Sequence, residues 1–152
     1  MTEAESAVRA RASALRLLTR REHSRHELRR KLEQRRFDTQ LVEALLDELE
    51  SERLLSDTRY AEVLVSNRAE RGYGPLRIRM ELGERGVARE IVEQTLADAE
   101  VDWDACLRDI YVRKYGESQA HSFELWASRA QFLRGRGFSA DRIRRVIGDF
   151  EQ

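Results

Sequence analysis

A chain of 152 residues that holds one cysteine, one proline and three histidines has ruled out a good deal before any motif is sought. With Cys106 alone, there is no internal disulfide framework and no four-thiolate metal site. The single proline and an aromatic content of 7% suit helices better than sheets, which draw on β-branched and aromatic residues. No run reaches the roughly 18 apolar residues of a membrane span. The first residues, MTEAESAVRARASALRLL, lack the basic region, apolar core and cleavage site of a secretory signal. A cytoplasmic protein without membrane contact is the simplest reading. What the chain does have is charge, 37% of residues, beside 41% apolar ones. That mixture fits slender helices with one buried face and much exposed surface.

Net charge is zero, yet the two signs are segregated. Residues 1–37 carry 11 basic and 5 acidic side chains, residues 38–104 carry 8 and 17, and residues 105–152 carry 9 and 6. A chain basic at both ends and acidic in the middle can orient in a partner's field without adhering to every polyanion.

Three stretches resemble one another: LEQRRFDTQLVEALL from Leu32, LGERGVAREIVEQTL from Leu82 and LRGRGFSADRIRRVI from Leu133. Aligned on those leucines, Arg35, Arg85 and Arg136 match, then Phe37, Val87 and Phe138, then Val42, Val92 and Ile143, then Leu46, Leu96 and Ile147. An offset of about 50 residues lies in the period range of helical repeats.

Local chemistry marks the boundaries. Ser24 and Glu27 have the spacing of a capping box. Gly74-Pro75 places glycine at a cap and proline at a first helical position, where its missing N–H costs nothing. Ser122 is the expected cap in the third copy. Each of these helices should end near Arg35-Arg36, Arg85-Gly86 or Arg136-Gly137, and Arg36 should carry strain or a different turn, because glycine is favoured there. Phe37, Asp38 and Val42 have the spacing of a hydrophobic staple, repeated by Phe138, Ser139 and Ile143, while Ala88 is a poorer cap. Leu55-Ser56-Asp57 is expected to cap the next unit's first helix. Apolar stripes complete the triplets: Ala14, Leu15, Leu17 and Leu18; Tyr60, Ala61, Leu64 and Val65; Trp103, Cys106, Leu107, Ile110 and Tyr111. In the third copy the last helix is expected to keep Ile143, Val146, Ile147 and Phe150 in line.

Each unit then reads as a long, a short and a medium helix. Alone, about 45 residues bury little surface and are marginal. The expected fold is all-α, an elongated curved array of three tandem three-helix repeats, spanning 1–56 with an N-terminal extension, 57–101 and 102–152. The competing arrangement is a single globular bundle in which the repeats are relics.

Few chemical constellations survive scrutiny. Arg71-Gly72-Tyr73-Gly74-Pro75 follows a helix rather than a strand and reads as a helix–helix turn, not a phosphate loop. His23 and His26 read as a solvated surface pair, His121 has no evident partner, and Cys106 falls on an apolar stripe. No Ser/His/Asp, Cys/His or paired-carboxylate arrangement is found, so no enzyme, metal or cofactor is expected. Arg25, Arg29 and Arg36 read as one side of the first short helix, with Arg20, Arg21, Arg30 and Lys31 nearby and few acids in residues 1–37 to neutralise them. The alternatives are a solvated face and a contact with phosphate or an acidic protein surface. Arg134, Arg136, Arg142, Arg144 and Arg145 repeat the pattern more weakly. Arginine suits bidentate contacts to carboxylate or phosphate.

Taken in order, Leu54-Leu55-Ser56-Asp57 with Arg59-Tyr60-Ala61, Arg68-Ala69-Glu70-Arg71-Gly72-Tyr73-Gly74-Pro75, Leu82-Gly83-Glu84-Arg85-Gly86-Val87 and Phe132 through Ser139 resemble the RecX family of bacterial recombinase regulators. The resemblance runs from about Ala14 to Phe150, and Arg36, where relatives often carry glycine, departs from it. It implies a tandem three-helix repeat fold. Separately, the chain is expected to be a monomer. The implied partner is the RecA recombinase, bound along its filament on single-stranded DNA, with modulation, mostly inhibition, of ATP hydrolysis and strand exchange. The residues expected to carry the contact, on charge alone, are Arg20, Arg21, Arg25, Arg29, Arg30, Arg36, Arg134, Arg136, Arg142 and Arg145. The alternative function is a helical module that binds single-stranded or duplex DNA directly.

Overall fold

Short polar residues set where the helices begin. Thr2, Ser24, Asp38, Ser56, Asp102, Ser122 and Ser139 each accept a first-turn backbone N–H. The computed structural model describes residues 1–150, and among them it contains helices and turns but no strand. The first repeat holds α1 (Glu3–Arg20), α2 (Arg25–Gln34) and α3 (Thr39–Ser51). The second holds α4 (Asp57–Glu70), α5 (Pro75–Glu84) and α6 (Arg89–Asp98). The third holds α7 (Trp103–Tyr115), α8 (Phe123–Gly135) and α9 (Ala140–Ile147). None of these helices is long and apolar enough to cross a membrane.

The repeated sentence in the sequence is a repeated turn. Phe37 N–H donates to Leu32 C=O at 3.3 Å, Val87 to Leu82 at 3.0 Å and Phe138 to Leu133 at 3.2 Å. Inside each of these bonds lies a shorter one, Arg36 to Glu33, Gly86 to Gly83 and Gly137 to Arg134. This pair of bonds is the Schellman motif, which needs a left-handed residue just past the helix. Gly86 and Gly137 supply it with φ of 75° and 103°. Arg36 adopts the same turn at φ 65°, so the expected strain is real and the turn is unchanged.

Packing follows two compact units, described separately. One comprises Met1–Val63 and Leu82–Thr95. Its core joins Ala10, Ala14 and Leu17 of α1, Leu28 and Leu32 of α2, and Val42, Leu45, Leu46 and Leu49 of α3, closed by Leu55. Within it the α5–α6 turn meets the α1–α2 turn: Ser24 Oγ donates to Arg85 C=O at 2.7 Å. Gly86 lies so close to His26 that an added Cβ would stand 2.6 Å from the histidine Cβ.

The other unit comprises Leu64–Glu81 and the chain from Leu96 onward. Leu107, Ile110, Leu133, Phe138 and Ile143 form its core. Here the α4–α5 turn meets the α8–α9 turn: Gly74 N–H donates to Arg136 C=O at 2.8 Å and Leu76 N–H to Gly137 C=O at 3.0 Å. A Cβ on Gly74 would fall 2.6 Å from that Gly137 oxygen. The glycine-rich stretch before Pro75 is thus a helix–helix turn shaped for backbone contact.

Several expectations need correction. The long–short–medium order holds in the first repeat, at 18, 10 and 13 residues, but the third runs 13, 13 and 8. Ser122 caps α8 about a turn earlier than Ser24 and Gly74 do in their copies, which lengthens that helix. Gly148, at φ 81°, ends α9 before Phe150, which leaves the helical stripe and packs its ring 5.9 Å from that of Phe123. Within Leu55-Ser56-Asp57 the expected cap of α4 is Ser56, while Asp57 stands at the first helical position and accepts the Arg25 N–H at 2.7 Å. His23 is buried, 1% exposed, rather than solvated.

Candidate partner-binding surface

The arginines singled out from the sequence fall into two groups by what they touch. Arg25 and Arg29 stand four residues apart on α2, and across from them α3 presents Glu43, Asp47 and Glu50. Arg25 reaches all three carboxylates, at 2.8, 2.9 and 2.8 Å. Arg29 pairs with Glu43 through Nε. Burial works against the Arg25 charge, but hydrogen bonds to Glu50, Glu43 and Asp47 outweigh it and raise its pKa. Hydrogen bonds from Arg29 and then Arg25 lower the Glu43 pKa to about 2. The neutralising acids were missing from residues 1–37 because they sit on the next helix. Arg36 does not extend this row, since α2 ends at Gln34 and Arg36 lies in the turn.

Arg21 binds Glu27 bidentately at 3.0 and 2.8 Å, and Arg85 shares the same carboxylate at 2.8 Å. Burial resists ionisation of Glu27, but the hydrogen bonds and charge of Arg21 and the Ser24 N–H prevail and lower its pKa. In the third repeat Asp104 of α7 holds Arg142 and Arg145, the latter at 2.8 Å, and its pKa is lowered by the Arg145 bond first. Arg144 bridges Asp141 and Asp149. Arg136 stacks 4.3 Å from the Tyr73 ring centre, where Arg77 also stacks, at 4.5 Å. Cation–π contact of this kind anchors a guanidinium without a carboxylate.

Arg20, Arg30, Arg36 and Arg134 are different. Each is exposed, and none has an ion pair or side-chain hydrogen bond among the described residues. Their donors are available to a partner's oxygens. The first three lie in one compact unit and Arg134 in the other.

Two buried polar groups escaped the sequence reading. Arg129, 9% exposed, donates to Tyr111 Oη at 2.9 Å and Ser118 C=O at 2.8 Å and lies 4.8 Å from the Tyr115 ring centre. Nothing in the residues around it announces that role. His23 occupies the α1–α2 turn with Nδ1 3.0 Å from Arg21 C=O and Nε2 2.8 Å from Lys31 Nζ. Its position directly before a capping serine was the available signal. Cys106 packs as expected, its Sγ 3.3 Å from Ala69 C=O, and burial, with Asp109, pushes the thiol pKa up. No group of three His, Cys, Asp or Glu among the described residues could hold a metal ion.

Three consecutive helical triplets with charge-rich exposed faces define an all-α tandem-repeat protein. Three family models match in order, RecX first three-helix domain at residues 10–49, second at 56–96 and third at 100–147. The regulatory protein RecX of Halorhodospira halophila is 47% identical over 145 residues, covering 95% of this chain and 90% of that one. That of Pseudomonas fluorescens is 46% identical over 144 residues, covering 94% and 92%. A crystal structure of RecX from Lactobacillus salivarius superposes with a TM-score of 0.77 at 23% identity, over 95% of this chain and 96% of that one, which supports the fold. The chain belongs to the RecX family of regulatory proteins, a family named for regulation and not for an enzymatic reaction.

Proposed function

We propose that this chain binds the RecA recombinase filament and modulates, mostly by inhibition, its ATPase and strand-exchange activities in DNA recombination and repair. The observation that carries the reading is the run of three RecX domain models along residues 10–147. The chain acts as a cytoplasmic monomer with no catalytic step of its own, in three repeats bounded at 1–56, 57–101 and 102–152, and meets single-stranded DNA through the filament. Its contact set is the ten arginines named from the sequence. Arg20, Arg30, Arg36 and Arg134 lead it, because binding them breaks no internal pair. Arg25, Arg29, Arg142 and Arg145 join it only by exchanging an internal carboxylate for one of the partner's oxygens. Weak contacts on several repeats of one chain act as linked modules, so affinity rises steeply with the number engaged. Inhibition requires tighter binding to a filament state that cannot exchange strands than to the active one.

The test is RecA's DNA-dependent ATPase. Replacing Arg20, Arg30 and Arg36 together with Glu is expected to weaken inhibition about tenfold, the worth of about 1.4 kcal/mol, with helicity by circular dichroism unchanged. Full inhibition by that variant rejects the surface, and no effect of the wild type on RecA rejects the function. Free guanidinium groups also suit phosphate, which favours direct DNA binding as the second reading. Tight binding to naked DNA with a steep salt slope, in the absence of RecA, selects it.

A further inference from the structure

The α1–α2 turn contains the most confined titratable group of its unit. The His23 ring is almost wholly shielded from solvent, and each ring nitrogen has one neighbour: the Arg21 carbonyl at 3.0 Å on Nδ1 and the Lys31 ammonium at 2.8 Å on Nε2. A carbonyl only accepts and an ammonium only donates, so Nδ1 carries the proton and Nε2 offers its lone pair. The neutral ring therefore joins the end of α1 to the outer side of α2.

Around it, cations outnumber acids. Arg21 from the α1–α2 turn, Arg35 just past the end of α2 and Arg85 from the α5–α6 turn all bear on Lys31 of α2, with Glu27 the carboxylate among them. Glu27 already holds Arg21 and Arg85. The other acid of the turn, Glu22, is held by Arg59 of α4, and Tyr60 of α4 places its hydroxyl 3.4 Å from Arg85. Asp57 accepts the Arg25 N–H. The neighbouring acids all have cationic or N–H partners already. A proton arriving at Nε2 would face the Lys31 ammonium at hydrogen-bond distance.

The residues that directly follow His23 fasten the first repeat to the α5–α6 turn, through Ser24 Oγ to Arg85 C=O, Glu27 to Arg85 and His26 against Gly86. We propose that His23 and Lys31 form a proton-operated latch, which holds the α1–α2 turn and the α5–α6 turn together while the imidazole is neutral and loosens them when it takes a proton. The proton enters at Nε2, the Lys31–Nε2 hydrogen bond is lost, and the ammonium moves out toward water. Nδ1–H stays on Arg21 C=O, so the release acts on the α2 side.

Burial, then the Arg21 and Lys31 charges, lower the His23 pKa from its ordinary 6.5 against the contrary pull of the Arg21 carbonyl and Glu27. A base whose folded pKa lies below its unfolded value costs nothing above the unfolded pKa. Its penalty grows as pH falls below that value. The latch is therefore shut at neutral pH and opens as pH falls through the folded-state midpoint of His23, which lies below the ordinary 6.5.

Two measurements on the full chain test it. Two-bond proton–nitrogen spectra follow the His23 ring from pH 7.5 to 5.0. Amide exchange, corrected for its intrinsic pH dependence, follows Ser24 and Val87. The expected result is the neutral Nδ1–H form at pH 7.5, an imidazolium appearing only well below pH 6.5, and exchange at both amides at least tenfold faster across that midpoint. In Lys31→Met the His23 midpoint is expected to move up toward 6.5 and the acceleration to vanish. Exchange at Ser24 and Val87 that ignores the His23 midpoint overturns the latch, and so does a midpoint unmoved by Lys31→Met. The exchange measurement on the unaltered chain decides the matter even where that variant folds poorly.

Discussion

Single residues carry the cost of the repeat design. The Schellman turns that follow Leu32, Leu82 and Leu133 need a left-handed residue, and where the second and third copies place glycine the first places Arg36 at φ 65°. A side chain in that region costs about 1–2 kcal/mol, and glycine returns about 0.5–1 kcal/mol of that as extra freedom in the unfolded chain. Arg36→Gly is therefore expected to raise stability by about 0.5–1 kcal/mol, read as a higher urea midpoint at constant slope. That gain should come with weaker action on RecA, because the variant also removes an exposed guanidinium from the proposed contact set. Stability that fell would show that Arg36 makes a contact that offsets its backbone strain.

Pairs of helices are fastened by charge as well as by apolar packing. Arg25 and Arg29 lie opposite the Glu43, Asp47 and Glu50 ridge of α3, over a core of Leu28, Leu32, Val42, Leu45 and Leu46. These pairs are partly open to water, so they add about 1 kcal/mol or less each, while the buried leucines supply most of the cohesion. Glu43 has its pKa depressed to about 2 from 4.5. A depressed acid contributes stability that is present above its unfolded pKa and is lost as pH falls toward its folded one. Glu43→Gln is expected to lower stability by about 1 kcal/mol or less at pH 7. It should also flatten the fall in the urea midpoint between pH 4.5 and pH 2, the window set by the two pKa values. An unchanged acid profile would show that the pair contributes nothing measurable.

At the scale of the whole molecule, the period of the sequence and the units of packing differ. The middle repeat gives its α5–α6 turn to the unit that contains the first repeat and its α4–α5 turn to the unit that contains the third. Residues 102–152 on their own would lack Gly74 and Leu76 against the α8–α9 turn and Tyr73 beneath Arg136. So small a piece, without those contacts, is expected to be only marginally folded. Circular dichroism should show a lower helical signal per residue and a broader thermal transition than in the full chain. A sharp, full-strength transition would mean that the third repeat folds without the α4–α5 turn.

Much of this was legible in the order of residues. Ser24 and Glu27, Asp38, Gly74-Pro75, Ser122 and Ser139 announced their helix starts, because capping is chemistry between near neighbours in sequence. Leu32, Leu82 and Leu133 with Phe37, Val87 and Phe138 announced a shared turn, since both ends of each Schellman bond lie within six residues. The candidate surface was legible only as a list of arginines. Whether Arg25 meets Glu43 or a partner, and whether His23 meets water or Lys31, depends on which helix faces which. Local sequence sets what each segment can become; long-range packing sets which charges are consumed inside the fold and which, such as Arg30 and Arg134, remain outside it. Burial and ion pairing arise from residues far apart in the chain, so only the tertiary structure could decide them.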